Sequence, residues 1–140
     1  MRSAKILLLI TLSISIFFLF SCKKEEGDGG KASIYGSIWV QKYSTYFGTT
    51  SDTLGEFAGA YENVYIVYGN DVNYGSRIEA GPDGKYEFKY LRPGNYKIYV
   101  YSKDSLGNDT IQKFAIIRNV TISKKKESVN AGTIKIYTYQ

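Results

Sequence analysis

From Ala32 onward the chain alternates apolar and polar residues with a period of two, and clusters of Gly, Asn and Asp break the alternation at short intervals. A period of two sends successive side chains to opposite faces of an extended strand, and no window carries the 3.6-residue stripe of an amphipathic helix. The pattern predicts an all-β fold with seven strands, at about 33–41, 62–68, 74–80, 85–91, 95–102, 110–121 and 131–139. Between them lie the turn signals "GND" (69–71), "GPDG" (81–84), "RPGN" (92–95) and "SLGND" (105–109). Pro82 and Pro93 preset the backbone for a turn, and Gly84 and Gly94 adopt positive φ at low cost.

Alternation also assigns the faces. In "GKYEFKYL" Tyr86, Phe88 and Tyr90 share one side and Lys85, Glu87 and Lys89 the other. The charged set belongs in water, so the three rings are expected inward. In the next strand Ile98 and Val100 go inward with Tyr96, leaving Tyr99 and Tyr101 outside. Ile34, Ile38 and Val40 are expected inward with Tyr35 and Trp39 outward. At the C-terminal end Ile134 and Ile136 go inward, with Lys135, Tyr137 and Tyr139 outward. Together with Tyr65, the outward aromatics Tyr35, Trp39, Tyr99, Tyr101, Tyr137 and Tyr139 form the candidate ligand or partner surface. Flat rings with a polar edge are enriched at recognition surfaces. They are also what a pleated sheet prefers for cross-strand pairing. The segment 42–61 ("KYSTYFGTTSDTLGEFAGAY") adds further apolar residues that could fold over this face and bury it.

The N-terminal segment has a different character. Arg2 and Lys5 precede "ILLLITLSISIFFLF", an apolar run of 15 residues at 6–20. A bilayer-spanning helix needs roughly 20, so the run reads as the apolar core of a signal peptide. It ends in "LFSC" (19–22), which resembles the lipobox of bacterial lipoproteins, whose cysteine is acylated and becomes the new N-terminus. Cys22 is the one cysteine of the chain, so disulfides, zinc clusters and CxxC redox pairs are excluded. The expected organisation is a signal peptide at 1–21, a lipidated Cys22 with a flexible tether to residue 31, and a β-sandwich domain at 32–140. The tether, "KKEEGDGGK" after Cys22, is charged, glycine-rich and without apolar periodicity. Its Lys-Lys-Glu-Glu start resembles the acidic tract that sends some Bacteroidetes lipoproteins to the cell surface. The implied location is the outer membrane, lipid-anchored and facing outward, with a periplasm-facing anchor as the alternative.

The segments "GSIWV", "ENVYIVYG" and "GPDGKYEFKYLRPGNYKIYVY" resemble carboxypeptidase regulatory-like domains and their Cna-B-type relatives. Asp83, Gly84, Tyr86, Phe88, Leu91, Pro93, Gly94, Tyr96, Ile98 and Val100 carry the likeness. It implies a single seven-stranded Greek-key sandwich of transthyretin-like or immunoglobulin-like type, with the long insertion at 42–61 between the first two strands. Such a topology pairs first strand with last, bringing Tyr35 and Trp39 near Tyr137 and Tyr139. It also pairs second with fifth, bringing Tyr65 near Tyr99 and Tyr101. The Cna-B-type relatives further imply a self-made Lys–Asn isopeptide bond, for which Lys31, Asn130 and Glu79 are the candidates.

The chain has no histidine, which removes Ser-His-Asp and Cys-His nucleophile pairs and the commonest transition-metal ligand. Glu56, Glu62, Glu79 and Glu87 all sit in polar company, where nothing raises a carboxyl pKa for acid catalysis. Asp104, Ser105, Asn108 and Asp109 offer oxygen donors in one loop, in a spacing that matches no EF-hand and suits an ordinary turn. No cofactor or metal is called for. The signal peptide takes two of the 18 basic residues, leaving 16 against 13 acidic, a net charge of +3. The one dense basic cluster, Lys124–Lys126, reads as a solvated turn and not as a nucleic-acid face. The sequence thus points to a non-catalytic envelope lipoprotein, held to the membrane through Cys22, that acts as a structural, protein-interaction or adhesin-like module. The alternatives are a glycan-binding accessory that recognises polysaccharide through the outward aromatics, and a self-cross-linking isopeptide domain.

Overall fold

The computed structural model describes residues 25–46, 49–104 and 112–139. The signal segment, Cys22 and the loop residues 105–109 lie outside the described residues. Eight strands follow one another: β1 (Asp28–Tyr46), β2 (Thr49–Ala58), β3 (Asn63–Tyr68), β4 (Ser76–Glu79), β5 (Lys85–Leu91), β6 (Gly94–Asp104), β7 (Gln112–Ile122) and β8 (Ser128–Tyr139). They form two four-stranded sheets. One has the order β4-β3-β6-β7. In the other, β1 pairs in parallel with β8 along one edge. Its second edge is shared, with β5 antiparallel to the lower half and β2 antiparallel to the upper half.

The core lies between the sheets. Ile34, Ile38 and Val40 of β1, Ile134 and Ile136 of β8, and Phe88 of β5 meet Val64, Ile66, Ile98, Val100, Val120 and Ile122 of the other sheet. Each such side chain removed from water contributes about 1.5–3 kcal/mol. Two glycines make room for this packing. Gly36 leaves its inward position empty for Tyr86, whose hydroxyl would lie 2.6 Å from a β-carbon there. Gly84 closes the Asp-Gly turn at φ +74°, with Asp83 Oδ1 accepting from the Lys85 amide at 3.1 Å.

Three sequence expectations change. The segment 42–61 does not fold over an aromatic face; it lengthens β1 and returns beside it as β2, so there are eight strands and not seven. The first strand starts at Asp28, inside the stretch read as tether. Residues 25–28 are bonded to the β5–β6 corner: Arg92 N donates to Gly27 O (2.9 Å), and Gly27 N to the Tyr96 hydroxyl (3.1 Å). Tyr90 is not in the core. Between the pairs Ile34↔Phe88 and Ala32↔Leu91, β5 spends one residue more than β1. This bulge holds Tyr90 at φ +61° and 71% exposed, and hands the inward position to Leu91, 1% exposed. A bulge reverses parity beyond it, which a strict alternation cannot foresee.

Candidate binding surface

β3 and β6 are antiparallel, with Tyr65 directly opposite Tyr99 on the outer face of their sheet. Aromatic residues favour strands and interact across them, and here the two rings stack at 4.8 Å and 7°. Tyr101, two residues along β6, meets Tyr65 edge-on at 5.6 Å and Tyr99 at 5.5 Å. Tyr74, from the β3–β4 turn, adds a fourth ring, edge-on to Tyr65 at 5.1 Å. Burial within this cluster, and then the neighbouring Tyr101 and Tyr65, push the Tyr99 hydroxyl pKa up, so its phenol stays neutral. The result is a tyrosine ledge with Tyr74 and Tyr101 exposed. Beside it, a shallow depression of about 260 Å³ is floored by Val67, Lys97, Ala115 and Ile117.

The ledge continues around the upper end of the sandwich into a cleft of about 200 Å³. Tyr65 and Tyr101 line one side, Ile136, Tyr137 and Thr138 of β8 the other, and Lys103 and Lys113 stand at the mouth. The walls are tied together by Ser102, a buried polar residue whose Oγ accepts from the Tyr137 amide at 2.8 Å. Asn63 and Glu62 complete the lining; the Asn63 Oδ1 itself is closed off from solvent and without a hydrogen-bond partner. A buried carbonyl oxygen left unpaired costs about 1–3 kcal/mol. Rings and charged groups of both signs around a small cleft suit a hydroxylated, partly apolar molecule.

The seven aromatics singled out in the sequence do not form one surface. Tyr65, Tyr99 and Tyr101 come together as expected, and Tyr137 joins them at the cleft. First and last strands do pair, but their parallel register sets Trp39 opposite Lys135 and Tyr35 opposite Asn130. Trp39 instead donates its Nε1–H to Glu56 Oε2 at 3.0 Å, and the other oxygen of Glu56 faces Lys135 Nζ at 3.8 Å. Tyr35 stands exposed and apart on the lower half of β1, opposite Glu87 on its other side. Tyr139 stacks on Tyr43 (5.7 Å, 22°), and Tyr137 is tilted against the same ring at 6.0 Å. Tyr43 and Tyr74 are the partners that sequence reasoning missed. Tyr43 continues the outward parity of Trp39 into the segment read as an insertion, so that signal was present; Tyr74 lies in a turn, where parity says nothing.

The isopeptide triad is not assembled. Asn130 pairs with Tyr35, four residues along β1 from Lys31, and Glu79 sits on β4 in the other sheet. All three are exposed, and Asn130 Oδ1 already accepts from the Gly132 amide at 2.8 Å. Among the described residues no group of three or more Asp, Glu, His or Cys could hold a metal ion.

No protein-family profile matches the chain, and no curated protein matches it. Among solved structures it is similar to a protein of Pseudomonas aeruginosa described as a "putative carbohydrate binding protein", at a TM-score of 0.44 and 12% identity. That match covers 80% of this chain and 91% of the other.

Proposed function

We propose that the chain is a non-catalytic, lipid-anchored glycan-binding module of the bacterial cell envelope. The observation that carries this reading is a small cleft walled by Tyr65, Tyr101 and Tyr137, with Glu62 and Lys103 beside the rings. A pyranose has one face of C–H groups that packs on a ring and an edge of hydroxyls that can bond to flanking polar side chains. The cleft lies below the ~300 Å³ at which pockets for larger ligands begin, which fits one sugar unit with the rest of a polymer lying along the ledge. The anchor is the diacylated Cys22 of the "LFSC" tetrad, and two or more acyl chains give stable attachment. The location that goes with it is the outer face of the outer membrane, and the transthyretin-like family remains the proposed kinship, supported by the parallel pairing of first and last strands.

The test uses the mature chain with Cys22→Ser against a panel of polysaccharides. Tyr101→Ala and Tyr137→Ala are expected to weaken binding roughly tenfold each, a loss of about 1.4 kcal/mol. Tyr35→Ala and Trp39→Ala, away from the cleft, should leave affinity unchanged. A panel without a single binder would sink the glycan reading. A second reading, a protein-interaction or adhesin-like module, is favoured by β7. This outer strand of its sheet runs 11 residues and exposes Phe114 and Ile117, as an edge that takes a partner strand would. Palmitate labelling that disappears in Cys22→Ser tests the anchor independently.

A further inference from the structure

The two poles of the sandwich differ in chemistry, and the chain enters at only one of them. Glu25 to Asp28 are pinned beneath the β5–β6 corner. Arg92 N and Tyr96 Oη hold Gly27, the Arg92 guanidinium donates to Glu25 O at 3.4 Å, and the Asn95 amide donates to Glu26 Oε1 at 3.5 Å. Cys22 is three residues from Glu25, a span of at most ~10 Å. An anchor at Cys22 therefore leaves little slack between this pole and the bilayer.

The same pole carries the β7–β8 turn. Ile122 is paired with Gly94 of the corner, Ser128 with Ser33 of β1, and the Ser33 amide donates to Glu127 O at 2.8 Å. Within the turn Glu127 is directed back on the backbone. Its Oε2 accepts from the Ser123 and Lys124 amides at 2.8 and 2.9 Å, bonds that hold its carboxyl below the usual range. Lys124, Lys125 and Lys126 are left exposed, without an ion pair among the described residues. Of the nearby acids, Glu87 pairs with Lys89 at 3.3 Å and Glu26 accepts from the Asn95 amide, while Glu25 and Asp28 lie in the pinned segment at the same pole. On the other flank of β1, Tyr90 projects from its bulge, strained and exposed. Lysines with an exposed tyrosine at one level are the chemistry of a membrane–water interface.

We propose that this pole is a membrane-contact surface, in which Lys124–Lys126 meet anionic headgroups and Tyr90 lies at the headgroup level. The contact sets the molecule upright. The cleft at Val40 is then up to ~40 Å farther along β1, counting from Asp28 at the strand rise, and faces away from the bilayer. The proposal rests on Cys22 as the point of attachment, and the experiment separates the two. The mature chain is coupled through its one thiol to a maleimide phospholipid in vesicles of phosphatidylcholine, with or without phosphatidylglycerol. Acetylation of each lysine by an amine-reactive reagent is followed by mass spectrometry.

Lys31 and Lys124–Lys126 should react at least about threefold more slowly on the anionic vesicles, with Lys42, Lys103 and Lys113 at the far pole unchanged. Replacing all three lysines of this exposed turn with Gln should restore the rate at Lys31. Equal rates at both poles, or the same protection on neutral vesicles, would overturn the contact. Because the coupling is chemical, absence of palmitate in cells would overturn only the anchor.

Discussion

At Tyr90 the backbone adopts a left-handed φ of +61°, a conformation that costs a side-chain-bearing residue about 1–3 kcal/mol. Tyr90→Gly relieves that cost, and the expected outcome is an unfolding free energy higher by about 1 kcal/mol, read as a raised denaturant midpoint, together with weaker protection of Lys31 on anionic vesicles. A gain in stability without loss of vesicle contact would make the bulge a purely structural device. Two other tyrosines set the response to alkali. The Tyr86 hydroxyl is buried over Gly36 with no partner, and burial pushes its pKa up to about 12. Tyr68 also reaches about 12, through burial first and then the nearby charge of Asp28. An unfolded tyrosine ionises near pH 10, while these two stay protonated to about 12. The unfolded state thus loses protons first, and stability falls as pH rises across that interval. For Tyr86 alone the fall approaches about 2–3 kcal/mol, and Tyr86→Phe should flatten the pH profile of the denaturation midpoint between those limits.

Among the elements, the segment before β1 is tied to the β5–β6 corner by one phenol in addition to Arg92 and Asn95. The Tyr96 hydroxyl donates to Arg92 O at 2.6 Å and accepts from the Gly27 amide at 3.1 Å, so one oxygen joins the corner to the incoming chain. This resembles the tyrosine corner of other β-sandwiches, where a ring on one strand bonds back to the backbone a few residues upstream. Tyr96→Phe should cost about 1–2 kcal/mol and, more tellingly, raise amide exchange at Gly27 while leaving Ile98 and Val100 protected. Equal exchange in variant and parent would mean that Arg92 and Asn95 secure the segment without the phenol. The sequence shows Tyr96 inward but not what its hydroxyl meets, because Gly27 lies 69 residues away in a stretch whose composition suggests a tether.

For the molecule as a whole, the sandwich sets the two proposed contact surfaces at opposite ends. The pinned N-terminal segment and the lysine turn occupy one end; the cleft of Tyr65, Tyr101 and Asn63 occupies the other. The glycan panel and the vesicle footprint therefore address independent surfaces. Tyr101→Ala should weaken polysaccharide binding and leave the Lys124–Lys126 footprint unchanged, and the triple Gln variant should do the reverse. Changes that add this way are expected of sites with no shared partners. Coupled losses would mean that one of the substitutions perturbs the fold.

The sequence alone determined the fold class and most of the core, because a two-residue period acts locally. Ile34, Ile38, Val40, Phe88, Ile98, Val100, Ile134 and Ile136 lie where their alternation puts them. It also determined that Tyr65, Tyr99 and Tyr101 leave the core, since their neighbours claim the inner face. Only the tertiary structure decided which outward rings meet. That depends on register between strands far apart in the chain, and on bulges, neither of which is written in the alternation of any one strand. The parallel β1–β8 register pairs Trp39 with Lys135 and moves Tyr139 to Tyr43, and a single extra residue turns Tyr90 out of the core.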